Sequence, residues 1–112
     1  MFSTEIDLHA WETVSDEELM LRYRNDLQTT DPHLFVLIHR YERPLYRHIM
    51  TQVGDRAVAE EIFQQVWLEV SRQPDAVDLQ HGTVRGYVEL CATRMALQHL
   101  LSTDYPRFSP NW

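Results

Sequence analysis

Residues 55–72, DRAVAEEIFQQVWLEVSR, constrain the fold more than any other stretch. Val58, Ala59, Ile62, Phe63, Val66, Trp67 and Val70 recur at spacings of three and four, so a helix over this stretch carries them on one side. Each large side chain fully buried there contributes ~1.5–3 kcal/mol. Asp55 can cap the start, and Pro74 stands beyond an end near Arg72.

The same grammar repeats along the chain. Ser15 and Glu18 have the spacing of a capping box, and Leu19, Leu21, Tyr23 and Leu27 follow, which predicts a helix ending near Asn25–Leu27. Asp31 and Pro32 suit an N-cap and a first helical position. From there Leu34, Phe35, Leu37, Ile38, Tyr41, Leu45, Tyr46 and Ile49 keep helical spacing up to Gly54, with Pro44 expected to kink or split the helix. Residues 73–82, QPDAVDLQHG, read as a polar loop, and Thr83 caps a fourth helix from about Val84 to Leu101. Val84, Val88, Cys91, Ala92, Met95 and Leu100 fall on its core side. With only 3 Gly and 5 Pro in 112 residues, long helices are favoured over many short strands. The expected fold is all-α: a compact bundle of three main helices plus an N-terminal helix, with one modest core. Residues 15–101 form the domain, residues 1–14 an arm or short helix, and residues 102–112 an irregular tail.

The formal charge of −7 is unevenly spread. Residues 1–31 hold eight acids against Arg22 and Arg24, whereas the rest is close to neutral. An acidic total argues against strong non-specific nucleic-acid binding but leaves room for a small specific contact. The single cysteine, Cys91, excludes an internal disulfide and fits a reducing cytoplasm. No apolar run approaches the ~20 residues that a membrane span needs. The six histidines are scattered; His39 and His48 are nine apart, too far for a helical metal pair. No nucleophile–base arrangement and no Gly-rich phosphate loop stand out, so a non-enzyme without metal or cofactor is expected. Arg40, Arg43 and Arg47 make a basic stripe on the second helix, read as a solvated face paired with Glu42 and its neighbours.

Glu61, Gln64, Gln65 and Leu68 form a second stripe on the third helix, opposite the apolar one. A solvated face with a stray leucine is the bland reading. A protein interface, with one apolar anchor among hydrogen-bonding side chains, is the sharper one.

RYERPLYRHIMTQVGDRAVAEEIFQQVWLEV resembles region 2 of the extracytoplasmic-function (ECF) sigma factors of bacterial RNA polymerase. Tyr41, Leu45 and Tyr46 match a family Tyr-x-x-x-Leu-Tyr, Gly54 and Asp55 match Gly-Asp, and Ala59, Glu60, Glu61 (for Asp), Ile62 (for Leu), Gln64, Gln65 (for Glu) and Trp67 (for Phe) align with Ala-Glu-Asp-Leu-x-Gln-Glu-x-Phe without a gap. SDEELMLRYRNDL looks like the family's opening helix, and VRGYVELCATRMALQHLL sits where its DNA-facing helix does. The likeness covers about residues 15–101. It implies that Glu61, Gln64, Gln65 and Leu68 dock on the clamp helices of the polymerase β′ subunit. It also implies that the loop before the fourth helix, and that helix, recognise the −10 promoter element and hold a flipped base. Asp78, Gln80 and His81 in the loop, with Arg85, Arg94 and Gln98 on the helix, are the residues that would contact DNA.

Two departures stand against the family pattern. Leu90, Thr93 and Leu101 occupy positions that are usually basic or polar there. Leu90, Leu97 and Leu101 then make a second apolar stripe, to be covered by the aromatic tail or by another chain, which includes a homo-oligomer through the fourth helix. Nothing after Leu101 resembles the family's region 4, so an excised or a stand-alone region 2 is expected. The resemblance implies core RNA polymerase and promoter DNA as partners, with an anti-sigma factor as a third. The alternative is a sigma-like adaptor that binds a polymerase, sigma or anti-sigma partner without reading DNA.

Overall fold

In a computed structural model of the chain, which describes residues 8–25 and 32–108, four helices follow one another. A 3-10 turn at Leu8–Trp11 precedes α1 (Asp16–Asn25), α2 (Pro32–Val53) and α3 (Arg56–Arg72). A second 3-10 turn, Pro74–Ala76, leads to α4 (Val84–Phe108), and the described residues contain no strand. The caps are those the sequence suggests. The Glu18 amide donates to Ser15 Oγ at 3.0 Å, Val58 to Asp55 Oδ1 at 3.1 Å and Gly86 to Thr83 Oγ1 at 2.9 Å. Asp31, the expected cap of α2, lies outside the described residues, as do Phe2 and Ile6 of the N-terminal arm. Gly54 turns the chain from α2 into α3 at φ +67, a left-handed conformation that side chains with a Cβ avoid.

Helix α2 is the central element and packs on α1, α3 and α4. Leu37, Leu45 and Ile49 from α2 are fully buried with Leu19 and Met20 of α1, Val66 and Val70 of α3, and Val84 and Val88 of α4. Pro44 does not split α2. It removes one ladder hydrogen bond, but Tyr41 and Leu45 beside it are buried, and that packing keeps the helix in one piece.

Helix α4 differs from expectation at its far end. It runs on to Phe108, so residues 102–108 are helical rather than irregular. Pro106 falls in the last turn, where its missing N–H costs a single bond. A helix that continues outward cannot fold back, and Leu90, Leu97 and Leu101 remain 68%, 55% and 61% exposed. No described part of the tail covers the leucine stripe.

Helix α1 is short, but its polar side chains tie the bundle together. Arg40 of α2 donates to Asp16 Oδ1 and to the Trp11 carbonyl, each at 2.7 Å, and the Tyr41 hydroxyl donates to Asp16 Oδ2. Burial and that neighbouring carboxylate push the Tyr41 phenol well above its ordinary value. Glu17 accepts the Val84 amide at 2.9 Å, and Arg24 donates to the carbonyls of Pro74, at 3.0 Å, and Val77.

Candidate functional site

The outer face of α3 follows from its inner one. Ala59, Ile62, Val66 and Val70 are buried, which turns Glu61, Gln64, Gln65 and Leu68 outward. Leu68 is 48% exposed. The Glu61, Gln64 and Gln65 side chains make no hydrogen bond or ion pair among the described residues. The face is therefore a leucine among three uncommitted polar groups, on a helix whose own cap and core are complete.

The segment between α3 and α4 is more ordered than a polar loop. Pro74 and Val77 are buried under Arg24. Asp78 then shapes the turn: its Oδ1 accepts the amides of Gln80 (3.0 Å) and His81 (3.2 Å), and its Oδ2 lies 3.0 Å from His81 Nδ1. The His81 ring and the Gln80 amide hold the Asp78 carboxyl below its usual range. Asp78 is thus occupied in building the loop, while Gln80 and His81 stand exposed on it. Arg85, in the first turn of α4, pairs with Glu89 at 3.1 Å and is also exposed.

Arg94 and Gln98 lie elsewhere. Arg94 Nη2 donates to both carboxylate oxygens of Glu69 on α3, at 3.0 and 2.9 Å, and Glu69 holds the guanidinium above its ordinary pKa. The same carboxylate accepts from Cys91 Sγ at 3.5 Å. Burial pushes the Cys91 thiol up, and pushes the nearby Tyr87 phenol to about 12. Gln98 lines a cleft of about 240 Å³ with Glu61 and Gln65. Arg94 lines the adjoining cleft, about 550 Å³, with Gln65 and Leu68. The structure therefore divides the six expected DNA contacts: Asp78, Gln80, His81 and Arg85 lie at the loop and the start of α4, whereas Arg94 and Gln98 border the outer face of α3.

A third groove, about 640 Å³, runs between α2 and α3 and is lined by Arg43, Arg47, Tyr46 and Phe63 among others. Arg40 is not part of it, having turned to Asp16. Sequence reasoning missed the linking roles of Glu17, Arg24, Arg40 and Glu69. Each pairs with a group more than twenty positions away, and no local pattern encodes such a pairing. Among the described residues, no three His, Cys, Asp or Glu side chains are grouped to hold a metal ion, and no helix is long and apolar enough to cross a membrane.

Comparison with family models gives a match to sigma-70 region 2 over residues 37–104, which takes in most of α2, all of α3, the loop and most of α4. Comparisons with curated proteins and with solved structures give no match. The matched span exceeds half of the chain and coincides with the segments that build the outer α3 face and the ordered loop: the chain belongs to the sigma-70 region 2 family, whose members are transcription initiation factors working with RNA polymerase and promoter DNA, not enzymes.

Proposed function

We propose that the chain is a region 2 module of the ECF type, acting in the cytoplasm. It docks on the clamp helices of the polymerase β′ subunit and engages the −10 promoter element during initiation. The observation that carries this reading is the exposed Leu68 among Glu61, Gln64 and Gln65, none of which the domain uses internally. An apolar anchor surrounded by polar groups is the anatomy of a protein interface. Docking supplies the affinity. Gln80, His81 and Arg85 contact DNA only within that assembly, which reconciles a charge of −7 with work on a promoter. In this reading Asp78 orders the loop that presents Gln80 and His81.

A second reading has specific support. Arg94 is paired with Glu69, Arg85 with Glu89, and Asp78 with His81, so four of the six groups expected at DNA are engaged within the protein. An adaptor that binds polymerase, or a sigma or anti-sigma partner, without reading DNA fits those pairings. Binding of the full 112-residue chain to core RNA polymerase, and separately to a fluorescent −10 single strand in the presence of core, distinguishes the two. Binding to both supports the initiation module. Polymerase binding without a DNA signal supports the adaptor, and loss of both overturns each.

A further inference from the structure

The two clefts between α3 and α4 form one trough, because Gln65 and Met95 line both. Half-buried Met95 supplies an apolar floor. Along its α3 wall the trough carries Glu61 toward one end and Arg72 toward the other. Neither side chain has an ion-pair partner among the described residues. A separation of eleven residues along the chain places the two charges about 16 Å apart along the helix axis. On the opposite wall Gln98 is exposed and equally uncommitted, and the middle is electrically closed by the Arg94–Glu69 pair.

We propose that this trough is the second half of the docking surface, and that one helix of the protein partner lies along it, contacting Gln98 and Arg72 as well as the outer face of α3. The inference rests on the proposed polymerase docking and extends it to residues of α4. Two observations select a partner helix of defined chemistry. The trough is continuous with the Leu68 face, since Leu68 and Gln65 line it. Its charges are of opposite sign at the two ends. The matching helix therefore carries a basic side chain where it passes Glu61 and an acidic one where it passes Arg72, about three turns apart, with an aliphatic side chain between them over Leu68 and Met95. Like charges at either end would repel, so the polarity of the trough also sets the direction in which the helix lies. Gln98 acts here as a protein contact, not a base reader.

The test is equilibrium binding of the full chain to core RNA polymerase with Leu68→Arg, Gln98→Arg and Arg72→Glu, each checked for helicity and melting temperature. Gln98→Lys, which places the same charge there, replaces Gln98→Arg should the latter not fold. The proposal expects Gln98→Arg and Arg72→Glu each to weaken binding by about tenfold or more, in the same direction as Leu68→Arg. If Leu68→Arg weakens binding while either of the other two stays within about twofold of the parent, the trough is not part of the surface, although docking through α3 stands. If the parent chain does not bind core polymerase, both the docking and its extension are overturned.

Discussion

The Glu17 carboxylate accepts the backbone N–H of Val84 at 2.9 Å, so a side chain of α1 caps α4 across 67 positions of sequence. Thr83 caps the same helix locally through the Gly86 amide. The start of α4 and the loop before it are thus held by α1, with Arg24 gripping the Pro74 and Val77 carbonyls. Helix α1 lies outside the span of the family match, yet it determines how firmly the loop and the start of α4 within that span are held.

Replacing Glu17 by Ala removes a charged cap from a helix N-terminus. Destabilisation of ~0.5–2 kcal/mol is expected. Chemical denaturation of the variant measures it, and hydrogen exchange should speed up first at Val84.

Arg24→Ala removes the guanidinium donor from the Val77 carbonyl and from the Pro74 carbonyl, which keeps only the Val77 amide. A hydrogen bond from a charged group contributes about 1.5–3 kcal/mol, so the melting temperature falls. The loop should also become the first site of limited proteolysis. In the proposed function, the −10 single-strand signal falls while polymerase binding is kept.

Leu68→Arg changes a half-exposed side chain that the core does not use. Stability should stay within about 0.5 kcal/mol of the parent. Binding to core polymerase should fall by tenfold or more, on the order of the loss at an interface anchor. An unchanged affinity would remove the basis of the docking proposal.

The Asp78 turn should respond to acid. Its carboxyl is held below the ordinary value by His81 and the Gln80 amide, so the folded state favours the charged form. The resulting contribution is present above the unfolded-state pKa and is lost as pH falls through the lower folded-state pKa. The amide resonances of Gln80 and His81 should therefore titrate together, with a midpoint below the ordinary aspartate value. A midpoint above that value would contradict the turn.

Cys91 is 4% exposed, and burial raises its thiol pKa, so little thiolate forms at neutral pH. Native protein should react slowly with a thiol reagent at pH 7, and at full speed only in denaturant. Fast labelling of folded protein would show that α4 opens at Cys91.

The helices were legible because their signals are local. Ser15, Asp55 and Thr83 cap amides three residues on, and Ala59, Ile62, Val66 and Val70 share a face by helical spacing alone. The outward stripe of Glu61, Gln64, Gln65 and Leu68 followed from the same geometry, as the complement of a buried one. The end of α4 was less legible: Pro106 signals a stop, but in a last turn it removes too little to enforce one. Nor did Pro44 divide α2, since burial on either side outweighed its cost.

The sequence by itself determined which segments are helical, which face of each is apolar, and which polar side chains are turned outward on α3. Only the tertiary structure decided which polar groups are already engaged: Glu17 with Val84, Arg24 with the loop, Arg40 with Asp16, and Arg94 with Glu69. Periodicity and caps act over three or four residues, within reach of one helical turn. An ion pair between two helices depends on how the whole chain packs, and that packing also drew Arg94 and Gln98 to the α3 face.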